Sequence, residues 1–269
     1  MDFGEIFSNA LKYPTLDYQK LLIVGAVYIL TILTVLFLQF GIYNGTLSLV
    51  FGIISLLVNI LLLGYGLSVL RHGIELDDVI PDFDWVTNFI DGIKYIVVTF
   101  VYLIVPTVVT FIVGIALGAG PLVTIFSKQT MDSLTNANTS SQVTQAFSSV
   151  PQEAWTGLIT AISITTAVAI ILFVIFGIFL EIGICRLAKY GSFGEAFRFG
   201  QILDDVKQIG IVKILLFFIV LSILASIIGF VIGFISLIPF IGVIVGSLVG
   251  RSFLLLFSNR AVGLLYSEV

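Results

Sequence analysis

Apolar residues fall in long unbroken blocks along this chain, not in the short periodic patterns of half-buried strands or surface helices. No Asp, Glu, Lys, Arg or His occurs between Lys20 and Arg71. A membrane-spanning helix takes about 20 apolar residues. That block therefore holds two helices, parted at the turn signal Tyr43-Asn44-Gly45. The predicted spans are 21–40 and 46–70. A third, 95–117, lies between Lys94 and Lys128 and closes at the Gly118–Pro121 run. A fourth is predicted over 157–184. The charge-free stretch Ile214–Gly250 is long for one helix, and Pro239 divides it into spans at 214–236 and 240–260. Residues 118–156 form one long polar loop rich in Ser, Thr, Asn and Gln. The first block is too long for a signal-peptide core and lacks a small-residue cleavage site, so it reads as a retained span.

Three segments carry a helical pattern of a different kind. They are Phe3–Pro14, Phe83–Tyr95 and Phe193–Gly210, and each places aromatics four apart: Phe3/Phe7, Trp85/Phe89, Phe193/Phe197. That spacing puts the bulky groups on one helical face, the habit of a short helix lying in the headgroup plane. Each precedes a pair of spans, so the chain reads as three interfacial-helix/span/span units. Such repeats occur in transporters; duplication without transport gives the same pattern. The expected fold is all-α, a six-transmembrane-helix bundle forming a single membrane domain with interfacial amphipathic helices.

Charge sets the orientation. With six spans, every Lys and Arg except Lys128 falls on one side, together with every acid except Asp132 and Glu153. Lys and Arg concentrate on cytoplasmic loops, so both termini are expected in the cytoplasm of a plasma-membrane protein. Composition agrees: 59% hydrophobic and only 10% charged, where soluble domains carry about 25% charged residues. A water-soluble enzyme and a disordered chain are both excluded by these figures. A net charge of −4 gives no support for nucleic-acid binding. One cysteine and one histidine leave neither a disulfide nor a multi-histidine metal site.

The stretch Gly64–Val98, with Gly64, Tyr65, Arg71, Gly73, the run Pro81-Asp82-Phe83-Asp84-Trp85, and Phe89, Gly92 and Lys94, resembles the signature of an uncharacterised multi-pass membrane family of methanogenic archaea, a domain of unknown function. Gly194–Phe199, the Pro239–Gly242 turn and the closing Arg260–Tyr266 run fit as well, so the resemblance covers most of the chain outside the polar loop. It implies an archaeal plasma membrane and no assigned activity, and it transfers no catalytic residue.

Candidate chemistry is sparse. Arg251 falls near the middle of the last span, where an arginine costs about 2.5–3.5 kcal/mol. Glu181 is the only acid inside a span. A Glu181–Arg251 contact or shared polar pocket is therefore expected, either as a solute or proton path or as a structural clamp. Asn59, mid-way along the second span, is expected to bond a neighbouring helix. Gly242, Gly246 and Gly250 make a small-residue face for close helix packing, within the chain first and in a homo-oligomer second. Asn138-Thr139-Ser140 is a glycosylation sequon in the outer loop. The acids Glu75, Asp77, Asp78, Asp82 and Asp84 match no calcium-loop spacing and read as a solvated loop. Nucleophile-elbow, phosphate-loop, metalloprotease and dinucleotide motifs are absent, so no catalytic, cofactor-binding or metal-ligating residue stands out. The leading expectation is a non-enzymatic membrane protein acting through lipid or protein contacts. The alternative is a small-solute permease or channel with a polar site near Glu181 and Arg251. A cavity reaching mid-membrane separates the two.

Overall fold

Each apolar block of the sequence becomes helix in the computed structural model, which describes Met1–Val269 and is 85% helical. In chain order the helices are α1 Phe3–Lys12, α2 Tyr18–Thr31, α3 Leu33–Gln39, α4 Gly45–Ile74, α5 Trp85–Ile125, α6 Lys128–Thr135, α7 Ser140–Ser148, α8 Gln152–Tyr190, α9 Phe199–Ile209, α10 Ile211–Ile235, α11 Ile241–Val245 and α12 Ser252–Tyr266. Five are long and apolar enough to cross a membrane: α4, α5, α8, α10, and α11 with α12 taken as Ile241–Tyr266. The bent pair α2–α3 makes a sixth if it is counted as one broken span.

Several boundaries have local causes. Asn44 caps α4 through its side chain, accepting from the Thr46 and Leu47 amides, as the turn signal predicts. The 63° bend between α2 and α3 needs neither Gly nor Pro. Thr31 Oγ1 bonds back to Tyr28 O at 2.7 Å, the Ile32 amide bonds Ile29 O, and Ser55 Oγ reaches across to Thr31 O at 3.3 Å. Hydroxyls bonding back into a helix bend it. Pro121 does not end its helix, because α5 runs on to Ile125. Between α10 and α11, Phe240 adopts φ 61°, ψ −70° in a three-residue turn closed by Ile241 N–H on Pro239 O at 2.7 Å. Gln39 Oε1, which accepts from Phe240 N–H, and the Phe40 ring 4.6 Å away hold that turn.

The chain divides into two compact units. The first comprises Met1–Thr99 and Ile178–Val269. Its helices meet at glycines: a Cβ on Gly64 would lie 1.8 Å from Asn88 O, and one on Gly25 would lie 1.8 Å from Leu248 O. Tyr13, Leu62, Tyr65, Val69, Ile80 and Leu256 are buried in its core. The first half of α4, by contrast, buries nothing before Val58. Exposed side chains such as Leu49 and Leu56 there suit contact with lipid.

Two of the three amphipathic segments are separate helices in this unit. An Asp2–Glu5 capping box starts α1, which buries Ile6, Phe7 and Ala10. Phe7 stacks on Phe217 of α10 at 5.1 Å, so the aromatic face packs on protein. Ile202, Val206 and Ile209 of α9 are buried. The third departs from expectation: Trp85 opens a single 41-residue helix that runs straight into the span. No proline lies between Trp85 and the start of the span at Tyr95, and Gly92 there lies against Ile60 O. Phe193–Phe197 is likewise a 3-10 turn, and α9 begins only after Arg198 at φ −77°, ψ 71°.

The second unit is Phe100–Gly177. Gly157 packs on Pro121 and Gly114 on Thr165, pairing α5 and α8 antiparallel within it. Ile125, Val150 and Ala154 form a small core with Leu158. The polar loop is not irregular throughout: Ser127 caps α6 and Thr139 caps α7.

Candidate functional site

Asn59 stands in the middle of α4, about 20 Å along the axis from either end. Its Nδ2 donates to Ser55 O at 2.7 Å and Ser55 Oγ at 3.3 Å, on its own helix and not on a neighbour. Asn259 of α12 repeats the arrangement, with Nδ2 donating to Leu255 O at 2.9 Å. A backbone carbonyl only accepts, so each amide turns its NH2 group to its own helix and leaves its Oδ1 directed elsewhere.

The two amides line a half-open cavity of about 140 Å³ in the first unit, with Asn59 exposed and Asn259 half-buried. Tyr28 from α2, Tyr95 from α5, and Leu62, Leu63, Gly66 and Leu255 complete its walls. Gly66 makes room for one amide: a Cβ there would lie 3.0 Å from Asn259 Nδ2. Polar groups from four helices thus converge at the depth of Asn59.

Glu181 and Arg251 do not form the expected pair. Glu181 lies beside Tyr95 and Cys185. Arg251 is exposed and lies near Tyr28. Each therefore lies near one of the cavity's two tyrosines. The reason is local: Gly246–Arg251 is a π turn, whose wider winding rotates the following side chains off the face a straight helix would give them. The glycine stripe is occupied within the chain. Gly242 faces Ile235 O, Gly246 faces Ser236 Oγ and Gly250 faces Ile232, all on or just after α10. Asn138 is exposed between α6 and α7, with its amide N–H on Gln142 Oε1 at 2.8 Å.

A second polar region lies at the end of the first unit that carries the termini. Three arginines near the ends of long helices organise it. Arg260 is 1% exposed. It donates to Asn9 Oδ1 at 3.1 Å and to the carbonyls of His72 and Asp77, pairs with Asp78, and lies 4.7 Å from the Tyr13 ring centre. Arg186 pairs with Asp205 at 2.8 Å and Glu195 at 2.7 Å and also donates to Gln201. Tyr266 OH donates to the same Asp205 at 2.6 Å. Arg71 donates to Ala188 O at 2.8 Å and lies 3.5 Å from Asp91, which Lys94 also contacts. Arg260 and Arg71 thereby cap the last carbonyls of α4 and α8, the ends where a cation is favoured. Burial pushes the Tyr13 hydroxyl well above its ordinary pKa, with Arg260 opposing.

The acidic loop belongs to this region. Lys20 donates to Ile80 O at 2.6 Å and pairs with Asp82 at 2.9 Å, and Tyr13 and Tyr65 bond Val79 O and Pro81 O. No three His, Cys, Asp or Glu side chains gather as metal ligands would.

Residues 47–238 match the family model described as Protein of unknown function (DUF4013), well over half of the chain. The chain belongs to the DUF4013 family. No curated protein and no solved structure matches it. In this DUF4013 chain the matched segment contains Asn59, Tyr95, Arg71 and Arg186, whereas Tyr28, Asn259 and Arg260 lie outside it. The long apolar helices mark the chain as a membrane protein. Tyr28, Tyr95 and Asn259 escaped the sequence reading. Only Asn259 carried a usable signal, as an amide beside Arg260 in the last span.

Proposed function

We propose that this DUF4013 protein is a non-enzymatic small-solute permease or channel whose solute passes through the Tyr28–Asn59–Tyr95–Asn259 cavity. The observation that carries the reading is the convergence of four polar side chains from four apolar helices around one cavity. Polar groups are expensive in hydrocarbon, so intramembrane ones mark solute paths more often than ornament. Ligand sites favour concave spaces between helices with few convergent polar groups.

Topology is part of the proposal. The α2–α3 pair counts as a span, six spans put both termini in the cytoplasm, and nearly all cations follow. The resemblance read from Gly64–Val98 supports an archaeal plasma membrane as the chain's location. The arginines support a three-unit repeat. Arg71 holds the segment opening the second unit, Arg186 holds the one opening the third, and Arg260 returns to Asn9 in the first. Each unit's last arginine thus grips the next unit's start.

A lipid-contact role is the second reading. It is favoured by a groove of about 280 Å³ between α10 and the α11–α12 span, lined by apolar residues and glycines such as Ile228, Ile232, Ile235, Val249 and Phe253. An acyl chain suits such a wall.

Reconstitution separates the readings. Purified protein in proteoliposomes is challenged with osmotic gradients of neutral, anionic and cationic small solutes. The permease reading expects at least one class to equilibrate faster than in protein-free liposomes, and expects Asn59→Leu to abolish the gain. Equilibration at the protein-free rate for every class would leave the lipid-contact reading.

A further inference from the structure

We infer that the cavity takes a small uncharged solute rich in O–H or N–H donors, a polyol or an amide of about six heavy atoms or fewer. The inference rests on the permease reading and specifies its substrate class. Three features of the cavity carry it.

The first is hydrogen-bond polarity. The NH2 groups of Asn59 and Asn259 are engaged by Ser55 O and Leu255 O. Both carbonyl oxygens remain, which only accept, and Asn259, whose NH2 group makes one of its two bonds, keeps one N–H to donate. Tyr28 and Tyr95 can donate or accept. A solute that satisfies this wall needs at least two donors, and an acceptor-only molecule would leave the amide oxygens unpaired in a poorly hydrated place.

The second is charge. No side chain lining the cavity is ionisable at neutral pH. The two nearby ionisable side chains are of opposite kind, Arg251 near Tyr28 and Glu181 near Tyr95. Neither sign of ion is favoured over the other, and either would lose its hydration without a fixed partner. A neutral donor gives up only hydrogen bonds that the amides and phenols can replace.

The third is size. A half-open cavity of about 140 Å³ compares with the engineered space of about 150 Å³ that accommodates benzene, a ligand of six heavy atoms, so a solute of that size fits it whole. Glycerol and urea fit within that limit.

The test uses the full chain in proteoliposomes and stopped-flow light scattering. The neutral probes are glycerol and urea; the ions are methanesulfonate and choline, whose charges do not titrate. Glycerol and urea are expected to equilibrate several-fold faster than in protein-free liposomes, with the ions unchanged. Asn59→Leu is expected to remove the gain, and Tyr95→Phe, which keeps the ring and its packing, to reduce it. Asn138→Gln, in the outer loop, serves as a control with wild-type flux. Ions passing while glycerol and urea do not would overturn the solute class and leave a permease. No solute of any class passing would overturn the permease reading itself. Glycerol and urea fluxes that survive both Asn59→Leu and Tyr95→Phe would show that the cavity is not their route, and would overturn the inference.

Discussion

Arg186 and Asn59 are both polar residues on long apolar helices, and the fold treats them in opposite ways. Around Arg186 every strong group has an answer: Asp205 and Glu195 meet its guanidinium, and Tyr266 bonds the same Asp205. Around Asn59 the amide is turned onto its own helix, and a cavity is left in front of it. A network of mutually satisfied partners fixes geometry. A set of polar groups facing open space has affinity to offer something else. The first region builds the molecule, and the second is where it can act.

The largest effect is expected at the satisfied network. Arg186→Leu leaves the buried Asp205 without its cation and Glu195 with Arg198 alone, and breaking such a buried pair costs about 3–5 kcal/mol. Thermal unfolding in detergent should show a large fall in Tm, partly restored by adding Asp205→Leu. A drop no larger than that of a surface substitution would erase the contrast.

Tyr266→Phe tests the same network more gently. It removes one hydrogen bond to a carboxylate and should cost about 1.5–3 kcal/mol, read as a smaller fall in Tm.

Acid sharpens the picture further. Burial would raise the pKa of Glu268, but hydrogen bonds from Lys213 and the Met1 ammonium outweigh it and hold the carboxyl below its ordinary range. A depressed carboxylate stabilises above its unfolded pKa of about 4.3, and that contribution disappears as pH falls through the folded value. The Tm advantage of wild type over Glu268→Gln should be present at pH 7 and shrink below pH 4. An advantage that grows on acidification would contradict the assignment.

The smallest stability change is expected at the cavity. Intramembrane amide bonds are worth about 0.6 kcal/mol. Asn59→Leu should therefore shift Tm little in either direction while abolishing solute flux. A fall comparable to that of Arg186→Leu would make Asn59 a structural residue after all.

Sequence patterns carried the helices and little of the site, for physical reasons. Charge-free blocks mark where hydrocarbon can be crossed, and Asn44 and Pro239 mark turns that need only local chemistry. Asn59 was visible because one amide in an apolar span is conspicuous. Tyr28 and Tyr95 were not, since tyrosine in a span usually passes for packing. The Arg260–Asn9 contact joins residues at opposite ends of the chain, and no periodicity encodes such a partner. Arg251 and Glu181 were conspicuous too, but the π turn that sets Arg251's direction leaves no trace in a hydrophobic pattern.

Whether water reaches Asn59 tests the central claim most directly. Cys185, the only cysteine, is 1% exposed, so the native background should be silent to thiol reagents. Asn59→Cys and, for comparison, Leu56→Cys on the exposed apolar face of α4 would be treated with a charged, membrane-impermeant methanethiosulfonate from each side of the bilayer. The cavity account predicts that position 59 is modified from at least one side and position 56 from neither. Protection of both positions, with the protein shown to be folded, would contradict it.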